Sequence, residues 1–384
     1  MKNKFNFKIV GSGPTGLLLS IALSKFDCNI FLTDLLTKDR LIDKDKTYAI
    51  THSTKKILSK FRLWEKLEPF LFGFDTLSIS DSVTYAFANL SISDLDDDIK
   101  SAENIGWVVK HTDLMNVFFQ EIDNCENIYF MSPQKFLRKK ILLDYQFFST
   151  GANSLDKKLL DFINIKKSYD QSCLTFKVSV RGNSEKRAYE IFRKEGPLAL
   201  LPLEKNLYQV IWTSSTLKAI ERLNSDKNFL MDNLSTILPD EFKLDQIIGE
   251  FNIFPVSLSL NLPVLNFKKL VFVGDAFHTF HPVGGQGLNS CWRDVNTIFD
   301  IFNKNNAITK MQLYLFKFKY VSSRILDIIV TILITHSLIS IFANRNLFLF
   351  PIRKFSFLLL NNFSFIRKLV LNQMTKSLIY SGIK

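Results

Sequence analysis

A glycine-rich turn near the start of the chain constrains the fold more than any other feature. Residues 11–16 read Gly-Ser-Gly-Pro-Thr-Gly, after a strand-like apolar run and before an apolar helical run. In this setting Gly11 permits a tight turn, Gly13 lets a pyrophosphate approach the backbone, and Gly16 lets the helix pack closely on the strand. The pattern therefore predicts the start of a dinucleotide-binding βαβ unit.

The rest of this unit supplies further contacts for the same ligand. Pro14 and Thr15 begin the helix, whose free N–H groups and positive dipole end face the phosphates. A second buried strand at 29–33 ends at Asp34, whose carboxylate is predicted to bind ribose hydroxyls. These residues alone leave FAD and NAD as alternatives.

A second constellation, about 250 residues later, favours FAD. An apolar strand leads to Gly274-Asp275, then to a loop rich in proline and glycine, then to a helix N-terminus. The carboxylate can bind a ribityl or ribose hydroxyl, and the glycines let N–H groups of residues 284–288 face the pyrimidine edge of a flat ring. Two such loops suit the two ends of one long cofactor. The residues predicted to bind it here are Gly274, Asp275, Pro282, Gly284, Gly285, Gln286, Gly287, Leu288 and Asn289.

Between the two loops the sequence changes character. Four strand-like runs separated by turn residues predict an antiparallel sheet: 173–180, 188–192, 198–203 and 207–213. A chain of 384 residues is long enough for two or three domains. The predicted fold is α/β, with a discontinuous Rossmann-like FAD-binding domain (1–75, 100–165 and 263–305), an inserted antiparallel-sheet substrate domain (76–99 and 166–262) and a helical C-terminal region (306–384).

The segment 274–289 resembles the flavoprotein aromatic hydroxylases that include para-hydroxybenzoate hydroxylase, and more closely the ubiquinone-biosynthesis hydroxylases. Their pattern of GDAAH, then Pro, then GQGLN is matched by Gly274-Asp-Ala-Phe-His278 and by residues 282–289, with Phe277 in place of the second alanine. Further matches lie at 196–203, 212–213, 254–256, 293–294 and in a predicted helix at 314–327. The resemblance covers nearly the whole chain and implies the FAD-binding fold of para-hydroxybenzoate hydroxylase.

The function implied by this resemblance is hydroxylation of a prenylated phenol or quinol ring in ubiquinone biosynthesis. NAD(P)H would reduce the flavin, dioxygen would form a flavin hydroperoxide, and the distal oxygen would pass to the ring. No acid or base is assigned to catalysis, and the flavin-loop candidates are Pro282, Gly284, Gly285 and Gln286. Two alternatives stay open: another flavoenzyme of the superfamily, such as a prenyl reductase or a halogenase, and a weakly active, flavin-binding structural member of a quinone-biosynthesis complex.

Two departures from the family pattern bear on activity. An arginine expected after the second strand is Lys46, which offers a point charge without a planar fork but is still predicted to contact the cofactor. An Asp-Gly pair expected in another loop is Thr150-Gly151, so the carboxylate that the resemblance associates with nicotinamide-cofactor use is absent.

Charge and cysteine usage narrow the partners and the compartment. The net charge is +12, but only 12 of the 49 basic residues are arginine and the lysines are spread along the chain. This pattern favours an anionic membrane surface over nucleic acid. Four separated cysteines without a CxxC pair, and no signal peptide, predict a cytoplasmic protein in peripheral contact with the inner face of the membrane.

Two further patterns in the sequence argue against a metal site and against a membrane-spanning helix. His278 and His281 lack a third ligand at a suitable spacing, and the acidic run at 94–98 lacks the spacing of a calcium loop, so no metal is predicted. The apolar run at 325–343 carries a polar stripe of Asp327, Thr331 and Thr335. The stretch after Asp327, residues 328–343, has 16 residues and is about 24 Å long as a helix. This is short of a ~30 Å hydrocarbon core, which favours a buried or membrane-surface helix.

Overall fold

Three sheets and a set of C-terminal helices make up the fold. The computed structural model describes residues 4–99, 101–151, 165–182, 186–239, 242–261, 263–265, 269–303, 308–344 and 346–376. The strands are β1 (Phe5–Val10), β2 (Cys28–Thr33), β3 (Thr47–Ile50), β4 (Phe72–Phe74), β5 (Thr76–Asp81), β6 (Ala86–Ser91), β7 (Gly106–Lys110), β8 (Ile128–Met131), β9 (Tyr145–Phe148), β10 (Ile165–Arg181), β11 (Arg187–Phe192), β12 (Leu198–Glu204), β13 (Leu207–Ser215), β14 (Lys243–Leu260), β15 (Val264–Leu265), β16 (Leu270–Phe272) and β17 (His278–Thr279). The helices are α1 (Pro14–Leu23), α2 (Lys38–Ile42), α3 (His52–Lys60), α4 (Trp64–Leu67), α5 (His111–Asp123), α6 (Pro133–Arg138), α7 (Thr216–Leu223), α8 (Lys227–Ser235), α9 (Gln286–Asn303), α10 (Lys310–Phe342), α11 (Phe350–Asn362) and α12 (Ser364–Thr375).

A six-stranded sheet in the order β15-β16-β9-β1-β2-β8 carries the cofactor loops. Its neighbouring strands are parallel except for the β15–β16 pair at one edge. Helix α1 contacts both α5 and α9, and all of its residues from Thr15 to Leu23 are buried. A helix enclosed on every side has to be apolar on every side, which is why this run shows no amphipathic pattern.

An eight-stranded sheet in the order β17-β14-β10-β13-β12-β11-β5-β6 forms the second layer. The predicted strand runs became β10 to β13, and they pair antiparallel as expected. The difference is the pair β5–β11, which is parallel, and the long stretch of chain between these two strands supplies the crossover that a parallel pair requires. One face of this sheet packs Tyr208 and Trp212 with Leu230 and Leu234 of α8 into a second core.

A three-stranded antiparallel sheet in the order β3-β7-β4 lies beside β12 of the large sheet. Strand β3 ends at Ile50, immediately before α3, so the turn at Thr51 is held between the small sheet and the cofactor domain. The domain boundaries given above remain predictions, and the region 152–164 around one of them lies outside the described residues.

The C-terminal helices bury several polar groups and leave many apolar side chains exposed. Asp327, Thr331 and Thr335 of α10 are all at most 3% exposed, whereas Leu326 and Leu333 are more than half exposed. By length and composition α10 is apolar enough to cross a membrane, and a third of its most apolar window is buried in the protein. The polar stripe read from the sequence therefore faces the protein core.

Candidate active site

The first glycine loop has an open space at the N-terminus of α1. Gly11 has φ +100°, and a Cβ there would lie 2.7 Å from the carbonyl oxygen of Ser149. A Cβ on Gly16 would lie 1.9 Å from the carbonyl oxygen of Gly11. At Gly13, by contrast, no heavy atom lies within 4 Å of the Cβ position. Two glycines are thus needed for the fold of the loop, and the third leaves room for a ligand.

Asp34 lies at the end of β2 and holds this loop in place. Its carboxylate accepts hydrogen bonds from the backbone N–H of Ser12 at 2.6 Å and of Leu36 at 3.0 Å. Each oxygen keeps a further lone pair, so the predicted ribose contact stays a prediction compatible with this geometry. The Thr150-Gly151 pair lies next to the same loop, with Gly151 at φ +83°.

The second cofactor loop meets the first. Gly274 has φ +65°, and a Cβ there would lie 3.0 Å from Cγ2 of Thr15 and 3.2 Å from Sγ of Cys291. Asp275 is exposed beside this contact, and the Cys291 thiol donates to its Oδ1 at 3.4 Å. The structure therefore brings together two loops that the sequence separates by about 250 residues, as one long ligand requires.

A network of buried charged side chains holds the second cofactor loop in place at Gly274. Asp294 of α9 is fully buried and accepts from the Gly274 N–H at 2.9 Å, from His278 Nε2 at 2.9 Å and from Arg324 Nε at 2.6 Å. Arg324 also pairs with Asp327. Burial alone would raise the pKa of the Asp294 carboxyl, but His278 and Arg324 outweigh it and hold that pKa below its ordinary value. The sequence indicated Arg293-Asp294 and the helix of Asp327, but not this contact between them.

The loop from Pro282 to Gly285 enters α9 through two left-handed glycines. Gly284 has φ +72° and Gly285 has φ +63°. The Gly285 N–H donates to the carbonyl oxygen of Pro282 at 3.0 Å, and the Gly284 N–H donates to the carboxylate of Glu190. These two N–H groups already have acceptors in the protein, and the expectation that the N–H groups of residues 284–288 face the ligand stays a prediction. At Gly287 no heavy atom lies within 4 Å of the Cβ position, so space for a ligand remains there.

Two amide side chains of this segment stabilise the loop. Asn289 is fully buried; its Nδ2 donates to the carbonyl oxygens of Ala49 and Gly285, and its Oδ1 accepts from Thr51 and Thr54. The Nε2 of Gln286 donates to the carbonyl oxygens of Gly284 and Met374, the latter in α12. Leu288 is partly buried against the main core. These contacts fix the loop, and direct cofactor contacts of the three side chains stay predictions.

Lys46 lies close enough to Asp275 for their charges to interact. Burial and the neighbouring Lys44 lower the pKa of the Lys46 ammonium, while the Asp275 carboxylate opposes that shift. Nearby, Tyr48 and His111 Nδ1 are 2.9 Å apart, and His111 Nε2 lies 2.8 Å from a carbonyl oxygen of α2. The carbonyl can only accept, so Nε2 carries the proton and Nδ1 accepts from the tyrosine. Lys46 is thus a cation next to the second cofactor loop.

A largely apolar cavity opens between the flavin loop and the eight-stranded sheet. Its walls come from the end of β3, from residues 282–285, from one face of the sheet and from α12. The sheet and α12 contribute mainly Ala188, Glu190, Ala199, Leu201, Ile211, Thr213, Leu371, Met374 and Thr375. Pockets of this kind, apolar with few polar groups, are typical of small-molecule sites. The sequence pattern indicates the loop, but it carries no signal that places Glu190 or the residues of α12 in the cavity wall.

His278 and His281 have separate hydrogen-bond partners. His278 pairs with Asp294, whereas His281 Nε2 lies 3.2 Å from Gln171 Oε1 and its Nδ1 accepts from the Val283 N–H at 3.2 Å. Within the described ranges, no three histidine, cysteine or acidic side chains gather into a metal-binding group.

The sequence of the chain is similar to those of several known proteins. No protein-family model matches the chain. It is 27% identical to an uncharacterized protein of Synechocystis over 76% of this chain and 73% of that protein. It is 20% identical to the ubiquinone biosynthesis monooxygenase COQ6 of Dictyostelium discoideum over 96% of this chain and 90% of that one. It is 28% identical to the 3-demethoxyubiquinol 3-hydroxylase of Escherichia coli over 39% of this chain and 38% of that enzyme. The predicted resemblance is confirmed.

Solved structures confirm the fold. The p-nitrophenol 4-monooxygenase PnpA of Pseudomonas putida superposes with a TM-score of 0.74 at 13% identity, covering 99% of both chains. HpxO of Klebsiella pneumoniae, in complex with FAD and uric acid, superposes with a TM-score of 0.70 at 14% identity, covering 98% and 97%. The prediction of a para-hydroxybenzoate-hydroxylase-type fold with a helical C-terminus is therefore correct, and the predicted enzyme class, an FAD-dependent monooxygenase, agrees with the relatives.

Proposed function

We propose that this protein hydroxylates the ring of a prenylated phenol or quinol in ubiquinone biosynthesis, using FAD, NAD(P)H and dioxygen. The observation that carries the proposal is the cavity between the flavin loop and the sheet. It lies beside the two joined cofactor loops and is lined largely by apolar side chains. A ring bound there would rest against the loop at Pro282 and Gly284.

The residues of the two loops fit FAD. Gly13 and Gly287 leave open space at the N-termini of α1 and α9, where free N–H groups favour an anion or an electron-rich carbonyl. Asp34 and Asp275 are placed to accept hydrogen bonds from sugar hydroxyls, and Lys46 adds a positive charge next to Asp275. When bound, the flavin supplies the redox and oxygen-activation chemistry. The chain's own task is to hold the ring against it and to exclude water.

The C-terminal helices support a peripheral membrane location and a prenylated substrate. More than half of the large apolar side chains that are exposed in the described residues lie between 311 and 369, with Phe348 90% exposed. Helix α12 turns Leu371 and Met374 toward the cavity, while Phe365 and Leu369 are exposed on its surface. A prenyl tail leaving the cavity past α12 would meet an apolar surface, as expected for a substrate collected from the bilayer.

The proposal is tested with purified protein, NAD(P)H and isotopically labelled dioxygen. We expect a yellow protein that releases FAD on denaturation and incorporates one labelled oxygen atom into a prenylated phenol. Consumption of NAD(P)H with no labelled product would contradict hydroxylation. A Gly13→Val variant, unable to admit the pyrophosphate, serves as the FAD-free control.

The same experiment separates the two alternatives. A prenyl reductase would saturate the tail without adding oxygen to the ring, so its product would carry no label. A flavin-binding structural member of a quinone-biosynthesis complex would restore quinone production in a deletion strain although the purified protein adds no labelled oxygen, whereas a hydroxylase would do both.

A further inference from the structure

A single carboxylate enters the apolar cavity from the sheet. Glu190 of β11 pairs with Ile79 of β5 on one side and with Ala199 of β12 on the other, and Ala199 pairs with Ile211 of β13. Paired residues share a face of the sheet, so this row places Glu190 among three apolar neighbours. Of the described residues that line the cavity, Glu190 is the one carboxylate, and neither Lys nor Arg lies among them. A charged group in such surroundings is costly and calls for a hydrogen-bonding role.

The position of the carboxylate joins the substrate sheet to the flavin loop. It accepts a hydrogen bond from the Gly284 N–H, across 94 residues of sequence. Gly284 precedes the N-terminus of α9 by two residues, next to the space left open at Gly287. Glu190 therefore lies where a bound ring and the flavin would meet.

The electrostatic surroundings of Glu190 suit a base near neutral pH. Burial raises the pKa of its carboxyl to about 7, against the opposing effect of the Gly284 hydrogen bond. Cys173 of β10 is close enough for the Glu190 charge to act on it, and burial raises the pKa of that thiol to about 12, so it is neutral. Strands β5, β12 and β13 present apolar side chains to it. A base is most effective when its pKa lies near the working pH.

We propose that Glu190 is the catalytic base that takes the ring-hydroxyl proton of a neutral phenolic substrate. The phenol O–H bond breaks, its electron pair stays on the phenolate oxygen, and the proton forms a new O–H bond on the carboxylate. No oxidant or reductant takes part in this step. The resulting phenolate is more electron-rich at the ring carbon to be hydroxylated. The inference rests on the proposed function and assigns the substrate class: a phenol without a ring carboxylate, since a second negative charge would meet neither Lys nor Arg among the described residues that line the cavity.

The test uses the holoenzyme, with 2-allylphenol and its methyl ether as probes. Glu190→Gln keeps the size and an oxygen acceptor for Gly284 but cannot take a proton. We expect kcat/KM for the phenol to fall by about 10²–10⁴-fold, the range for a lost general base. We also expect the wild type to lose kcat/KM below about pH 7, as the carboxylate is protonated, and the variant to show no such acidic limb. Glu204→Gln, which removes an exposed carboxylate paired with Lys110 on the same sheet, is the matched control and should behave as wild type.

Two further readouts keep the result decisive. Infrared difference spectra of the resting holoenzyme should show a carboxyl group titrating near pH 7 that is absent from Glu190→Gln and present in Glu204→Gln. Binding of 2-allylphenol should exceed that of the methyl ether in the wild type but not in Glu190→Gln. If Glu190→Gln does not retain FAD, Glu190→Asp takes its place and should keep the acidic limb at lower kcat/KM.

The inference is overturned if an FAD-loaded Glu190→Gln enzyme keeps wild-type kcat/KM and its acidic limb, or if the Glu190→Asp enzyme lacks that limb. Failure of the proposed function has a different signature. In that case the wild type itself adds no labelled oxygen to any phenol, whatever residue stands at position 190.

Discussion

Removal of the Asp294 charge should lower the free energy of unfolding by an amount that follows from its buried contacts. Its carboxylate is fully buried and accepts three hydrogen bonds, from Gly274, His278 and Arg324. Asp294→Asn removes the charge and points an amide N–H₂ at groups that are themselves donors. Arg324 then keeps Asp327 as its partner, but Asp327 must also serve Arg293 at 3.0 Å.

Breaking a buried ion pair by removing one partner costs about 3–5 kcal/mol. At about 2.1 cal/mol/K per residue, cooperative unfolding of 384 residues carries an entropy of about 0.8 kcal/mol/K. The melting temperature should therefore fall by about 4–6 °C. Because the pKa of Asp294 is lowered in the folded state, its stabilisation is complete above the unfolded value near 4 and is lost as the pH falls through the folded pKa.

The measurement is thermal unfolding of the FAD-loaded protein at neutral pH. Asp300→Asn is the matched control, because Asp300 lies on the same helix and forms an ion pair at the surface with Lys60. The Asp300 side chain is 49% exposed and the Lys60 side chain is 34% exposed. Surface pairs contribute at most about 1 kcal/mol, so its melting temperature should fall by about 1 °C. Equal shifts in the two variants would refute the reasoning. In the Asp294→Asn/Arg324→Gln double variant, the loss should be smaller than the sum of the single losses.

Three other predictions concern the cofactor and the membrane. Gly13→Val should fold but bind no FAD, since its side chain occupies open space where the pyrophosphate must approach; circular dichroism and flavin absorbance check both parts. Gly285 has φ +63°, and a Cβ there would lie 3.2 Å from the Cβ of Ala49 in β3, so Gly285→Val should distort the flavin loop and lower the reduction potential of any retained FAD. Asp275→Ala should instead reduce the affinity for FAD and leave the reduction potential nearly unchanged. Redox titration of the two variants compares them. Phe348→Glu should reduce sedimentation of the protein with anionic vesicles, whereas Leu217→Glu, at a site 82% exposed on another part of the surface, should not. Release of the wild-type protein from membranes by high salt or carbonate would support surface binding. Release by detergent alone would contradict it.

Local patterns in the sequence were enough to predict the cofactor loops and the sheet strands. The roles of Gly11 and Gly16 can be predicted from sequence because the backbone conformation at Gly11 and the close packing at both positions leave no room for a side chain. The polar stripe of α10 was readable because Asp327 and Thr331 recur at the helical period. Features that rest on one turn or one strand leave a local signature.

Features made by tertiary contact left no such signature. Glu190 alternates with apolar neighbours as any strand residue can, and its bond to Gly284 depends on how the sheet faces the loop. The closure of the cavity by Met374 likewise depends on where α12 packs. Asn289 was predicted to bind the cofactor from its place in a motif, but its amide is engaged by the protein on both sides, which only the fold reveals.

The parallel pair β5–β11 also has a consequence for how the chain folds. Thr76 pairs with Arg187, so 111 residues must be synthesised and looped before the two strands can meet. Contacts of such long range slow folding. Until they form, β11 presents an unpaired edge that can template pairing with another chain. The junction between β5 and β11 should therefore form late, and newly made protein should expose this edge of the sheet that carries Glu190 to other chains until it does.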